Sequence, residues 1–187
     1  MADLLARAVR ALRAGQIVGY PTDTLYGLAV PATNVAAVDA LVRLKGRAIG
    51  QPISVAFSSF EELEPYAELS AEGRSFVRTH LPGPFTVLAP GSARAGREFA
   101  PSIAAGPSIG IRIPDHPLAR ALAQHAGPIT ATSANRHGAP PSRTATEARR
   151  VFGDRIAVYL PSEPAPSGAP STLVDLTRSA PAYRDRK

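Results

Sequence analysis

The chain has 187 residues, 44% of them hydrophobic, with 19 prolines and 15 glycines, which predicts one folded domain over residues 1–187 with many rigid turns. It has no cysteine, which excludes a disulfide framework, a thiolate metal site and a cysteine nucleophile; no signal-peptide pattern or long uncharged apolar run occurs, so a cytoplasmic protein that keeps away from membranes is expected. Lys and Arg total 21 against 15 Asp and Glu, a net charge of +6 that suits anionic partners such as nucleotide, phosphate or RNA, or else reflects a solvated basic surface.

Residues Asp3–Ala14 place Leu4, Leu5, Ala8, Val9 and Leu12 at helical spacing, and Gly15 ends the run. Residues 16–20 and 25–30 read as strands. Asn34 can cap a second helix that buries Val35, Val38, Leu41 and Val42 and runs out near Lys45. A strand is expected over 52–57, a short helix from the capping pattern at Ser59–Glu62, and a further helix over Ser70–Leu81, stopped by Pro82-Gly83-Pro84. Strands follow at 85–90 and 108–114, a helix at 116–127 with proline in its first turn, and a buried strand at 128–132. A second capping pattern at Thr144–Glu147 opens a helix, and strands close the pattern at 156–160 and 171–177. The proline-rich stretch 161–170 between them reads as a mobile loop and a candidate lid. Strands and helices mixed in this way predict an α/β domain around one sheet.

Several chemistries have no carrier. There is no phosphate-binding P-loop, dinucleotide fingerprint or zinc-protease helix in the sequence. Gly106–Gly110 matches the nucleophile-elbow spacing, but a strand pattern follows its serine where a helix is required. His80, His116, His125 and His137 lack metal-ligand spacing and read as surface or capping residues.

Three clusters remain. The turn Pro21-Thr22-Asp23-Thr24 puts short oxygens between two apolar runs; it reads equally as a self-satisfied turn or as a binding loop. Lys45 and Arg47 sit where a helix ends, either as partners of the helix dipole or as a phosphate clamp. Residues 132–144 carry an apolar strand into Ser133 and Asn135, placed to donate to phosphate at a strand end, and Arg112 adds a planar fork suited to carboxylate or phosphate.

In this order, YPTDTLYGL (20–28), LKGR with QPIS (44–54), LPGPFTVLAP (81–90), IGIRIPDHP (109–117), TSANRHGAPPSRT (132–144) and STLVDLT (171–177) resemble the YrdC/TsaC family of threonylcarbamoyl-AMP synthases in its short, single-domain form. The resemblance implies a twisted, mixed parallel/antiparallel sheet flanked by helices, with a basic cavity. It implies a nucleotidyltransferase that joins L-threonine, bicarbonate (as carbon dioxide) and ATP, with magnesium on the phosphates and no metal site of its own. The product would pass to a downstream threonylcarbamoyl-transferase complex acting on adenosine 37 of tRNA. It further implies that Thr24 contacts the substrate threonine, that Thr22 and Asp23 shape its pocket, that Ser171 closes it, and that Arg112 holds the carboxylate. Lys45 and Arg47 would neutralise the phosphates. Ser133 and Asn135 would bind the nucleotide, joined by Ser108, Ser142 and Arg143, with Arg184 reaching it from the tail. The alternatives are a non-catalytic RNA- or tRNA-binding module of the same fold, or a related transferase using another acceptor.

Overall fold

The structure, a computed structural model, describes residues 1–47, 51–104, 106–178 and 181–184. In chain order it forms helix α1 (Ala2–Arg13), strands β1 (Val18–Tyr20) and β2 (Gly27–Ala29), α2 (Val35–Lys45), β3 (Ser54–Ala56), α3 (Phe60–Leu63), α4 (Ala71–His80) and β4 (Phe85–Pro90). It continues with α5 (Ala93–Glu98), α6 (Pro101–Ala104), β5 (Ser108–Arg112), α7 (Pro117–Ala126), β6 (Ile129–Ser133), α8 (Ala145–Phe152), β7 (Val158–Tyr159), β8 (Thr172–Asp175) and β9 (Ala182–Arg184).

Side-chain caps start the helices where the sequence places them. Asn34 Oδ1 accepts from the Ala37 N–H at 3.0 Å, and Ser59, Ser70 and Thr144 do the same work for α3, α4 and α8. Gly46, at φ 64°, closes α2 in the left-handed conformation. Two short helices, α5 and α6, and the last strand β9 have no counterpart in the sequence reading. The helices are too short to show a period, and α5 contains Gly96.

The strands make one nine-stranded sheet in the order β7-β1-β2-β6-β3-β5-β4-β8-β9. The pairs β1/β7, β3/β5 and β4/β8 are parallel and the other five antiparallel. The sheet is therefore mixed and flanked by helices, as expected. Side chains alternate across it. On one face Val55, Val87, Ile109, Ile111 and Val174 pack against α2, α3, α4 and α8 through Leu41, Phe60, Val77 and Phe152. On the other, α1 and α7 cover Val18, Tyr20, Ala29, Ala56, Ile129 and Val158 with Leu12 and Leu122. That second covering stops partway along the sheet. Beyond it the same face carries Ser54, Gly110, Arg112, Thr86 and Leu173, and these line a cavity. Among the described residues no helix is long and apolar enough to cross a membrane.

Candidate active site

The cavity has a volume of about 490 Å³. Its floor is the uncovered sheet face, and its rim is formed by the turn after β1, by Arg47, Pro52 and Ile53 between α2 and β3, by the loop after β6, and by Pro170 and Ser171 before β8. Thr22, Thr24, Arg47, Arg112, Ser133, Asn135 and Ser171 line it, so residues up to about 150 positions apart converge as the resemblance implied. Tyr20, Ser54, Leu88 and Leu173 line it too and were not singled out in the sequence. Their signal was available only as alternation, since Ser54 and Leu88 lie on the same face as Arg112.

Arg112 ends β5, and its neighbours Ile109 and Ile111 anchor the strand in the opposite core. Its guanidinium is nearly buried. Nη2 donates to Asp23 Oδ1 at 3.1 Å and Nη1 to Thr24 Oγ1 at 3.1 Å, while Nε has no partner. Burial pulls the Arg112 pKa below its ordinary value, against the opposing charges of Asp23 and Tyr20. Tyr20 itself is pushed up to about 12 by burial.

The turn 21–24 is held by Thr22. Its Oγ1 accepts from the N–H groups of Thr24 (3.1 Å) and Leu25 (3.2 Å) and donates to the Leu25 carbonyl at 2.7 Å. With its proton and both lone pairs engaged, the Thr22 hydroxyl builds the turn. Thr24 Oγ1 accepts from Arg112 and lies 3.0 Å from Thr22 Oγ1; with the Thr22 proton on the Leu25 carbonyl, the Thr24 hydroxyl is the donor of that contact. The self-satisfied turn is what the hydrogen bonds show, and both threonine side chains take part in it.

Lys45 lies behind the cavity wall. Its Nζ donates to the carbonyls of Ser133 and of Asn135 (2.9 Å) and to Asn135 Oδ1 (3.3 Å). Burial, then the nearby Arg47 charge, push its pKa down to about 8. Asn135 Nδ2 donates to the carbonyls of Arg136 and Ala139, and Ser133 Oγ donates to Asn135 Oδ1 at 2.6 Å. Asn135 thus has no free donor for phosphate: its amide shapes the loop, which the Lys45 carbonyl also holds by accepting from His137 N–H. Arg47 donates to the Pro52 carbonyl at 2.9 Å and keeps a buried, unpartnered Nε.

Besides Lys45, four expected nucleotide residues do not line the cavity. Ser108 opens β5, opposite Pro90 and at the other end of the strand from Arg112. Ser142 is buried and uses its backbone to bridge Tyr26 and Ala134. Arg143 lays its guanidinium against Gly168 of the proline-rich segment. Arg184 is half-exposed in β9 and pairs with Asp175, which also accepts twice from Thr177. Burial raises the Asp175 carboxyl, but those three bonds win and hold it below the ordinary range.

The segment 161–170 has no helix or strand, yet it is fastened at several points. Ser167 and Gly168 donate their N–H groups to the carbonyls of Asp23 (3.0 Å) and Thr24 (2.8 Å), and Ser162 Oγ accepts from Ala145 N–H. The buried His116, whose Nδ1 caps α7, lies 3.3 Å from the Pro164 carbonyl through Nε2. A loop read as mobile is therefore a strap across the turn 21–24, and its end, Pro170 and Ser171, forms cavity wall.

The family model and the curated relatives agree on one family. A family model for Sua5, YciO and YrdC, described as "Telomere recombination", matches residues 10–184. A putative threonylcarbamoyl-AMP synthase of Mycobacterium tuberculosis is 36% identical over 183 residues, covering 95% of this chain and 81% of that protein. The threonylcarbamoyl-AMP synthase of Methylobacillus flagellatus is 37% identical, covering 94% and 97%. Among solved structures, P. abyssi Sua5 complexed with L-threonine superposes with a TM-score of 0.88 at 29% identity, over 96% of this chain. This chain spans about half of that Sua5 chain, 52%. By the extent and agreement of these matches, the chain belongs to the Sua5/YciO/YrdC family.

Proposed function

We propose that the protein is an L-threonylcarbamoyladenylate synthase, converting L-threonine, bicarbonate and ATP to threonylcarbamoyl-AMP and pyrophosphate. One observation carries this reading. Arg112, Arg47 and the loop held by Lys45 converge on a single cavity whose described lining contains no carboxylate and no histidine. Such a site suits the joining of two anions by positioning and charge, with no group required as a general base. The names of the curated relatives and the threonine bound to P. abyssi Sua5 support the same choice of substrate.

In this reading the Arg112 guanidinium, whose Nε has no partner, takes the amino-acid carboxylate beside Thr24. Ser171 at the strap's end closes the pocket beside it. Bicarbonate supplies carbon dioxide by losing hydroxide; the threonine amine attacks the carbon dioxide, and the proton it sheds joins that hydroxide as water, giving a carbamate. A carbamate oxygen then attacks the α-phosphorus of ATP and pyrophosphate leaves. Arg47 neutralises phosphate charge directly, and the Lys45 ammonium does so through the Ser133–Asn135 wall. Among the described residues no group of three or more His, Asp or Glu could hold a metal. A magnesium ion would take its ligands from the nucleotide's phosphates and water. The product then goes to a threonylcarbamoyl-transferase complex that acts on tRNA in the cytoplasm.

The test is mass spectrometry of the products after incubation with ATP, threonine and bicarbonate. The expected result is threonylcarbamoyl-AMP with an equal amount of pyrophosphate, both requiring threonine and bicarbonate. Pyrophosphate release indifferent to threonine would point to another acceptor, and tRNA affinity with no turnover would point to the binding module.

A further inference from the structure

Asp23 has no place in the reaction just described, and it does not line the cavity. Yet its carboxylate is the ion-pair partner of Arg112, 89 residues away, with only 10% of the Arg112 side chain and 14% of the Asp23 side chain exposed. Its aim is fixed from both sides. Thr22 locks the turn backbone from within, and the strap holds the Asp23 carbonyl through Ser167 N–H. Thr24 occupies the neighbouring nitrogen of the same guanidinium. A flexible arginine is thereby presented to the cavity in one orientation before any ligand arrives.

The choice of aspartate follows from charge. An asparagine would offer a similar acceptor oxygen but would leave a buried guanidinium unpaired. A buried pair of this kind adds little net stability, so its contribution is geometric. We propose that Asp23 is a positioning residue: it sets the direction of the Arg112 guanidinium, and so the affinity for the amino-acid substrate, without touching that substrate. The affinity part rests on the synthase reading; the fixed guanidinium does not.

Two measurements separate them. In the ligand-free wild-type protein, ¹⁵N–¹H NMR should resolve separate Nη signals for Arg112, identified by their loss in Arg112→Lys, because two directed hydrogen bonds stop rotation of the guanidinium. A single averaged Nη signal overturns the proposal, whatever the reaction is. By calorimetry, Asp23→Asn should weaken threonine binding by about tenfold or more while ATP binding stays within about twofold, and Asp23→Glu should recover part of the loss. Unchanged threonine affinity, or equal losses for both ligands, overturns the positioning role. Wild-type protein that binds no threonine sinks the synthase reading instead, and the NMR result then decides the role of Asp23; it decides also if Asp23→Asn does not fold.

Discussion

One face of the sheet is put to two uses. Across β7, β1, β2 and the start of β6, α1 and α7 cover it, and the inward residues are Val18, Tyr20, Ala29, Val158 and Ile129. Past Ala56 of β3, and across β5, β4 and β8, no helix among the described residues covers it, and the inward residues become Ser54, Gly110, Arg112, Thr86 and Leu173. The switch occurs within β6, where Ile129 lies under the helices and Ser133 lies in the cavity. The difference teaches how this fold makes a site: it leaves part of a sheet without its helix and fills the exposed pleats with donors and small residues.

That contrast can be broken from the open side first. Arg112→Ala should lower threonine-dependent pyrophosphate release by about 10³-fold, comparable to removing a transition-state donor, and Lys45→Ala should be similarly severe. Steady-state rates check this, and unchanged turnover in either variant removes the site assignment. On the covered side, Leu122→Ala truncates a fully buried side chain and should cost about 2–5 kcal/mol in denaturant unfolding. Substrate affinities of the folded fraction should not change.

Lys45 sharpens the comparison through pH. Its pKa of about 8 lies below the ordinary 10.5, so between those values the unfolded chain keeps a proton the folded one has shed. Burial of this charge therefore costs stability below pH 8, and the cost fades as pH rises through that window. Nucleotide binding should run the other way. A bound triphosphate favours the charged amine, so ATP affinity should fall by up to about tenfold per pH unit above 8, with proton uptake on binding. Titrations in buffers of different ionisation enthalpy measure both. The smallest effect is expected at Arg184→Ala. Thr177 still satisfies Asp175, so unfolding should shift by about 1 kcal/mol or less with ATP affinity unchanged.

The sequence made the main helices and strands legible because caps, glycines and periodicity agree there. Asn34, Ser59 and Thr144 all cap as read, and Ser70 caps the helix expected to begin there. Arg47, Arg112 and Thr24 were legible as site candidates because their motifs stand in family order. What the sequence hid was the use of each hydrogen-bonding group. Thr22 and Thr24 look alike in the chain, and only the turn geometry shows that one is spent on the backbone. Asn135 reads as a donor until the carbonyls of Arg136 and Ala139 are placed around it. Arg143 and Arg184 read as phosphate ligands because long-range packing, which sends one to Gly168 and the other to Asp175, leaves no local trace.

The position of β6 has a consequence for how the chain reaches this state. It alone pairs with both β2 and β3, and so joins β7-β1-β2 to the other five strands. During synthesis residues 18–29 and 54–112 emerge well before residues 129–133 can bridge them. Until then both groups present unpaired edges, which are templates for wrong partners. Productive folding is therefore postponed until about two-thirds of the polypeptide has left the ribosome, and these non-local pairings make it slow.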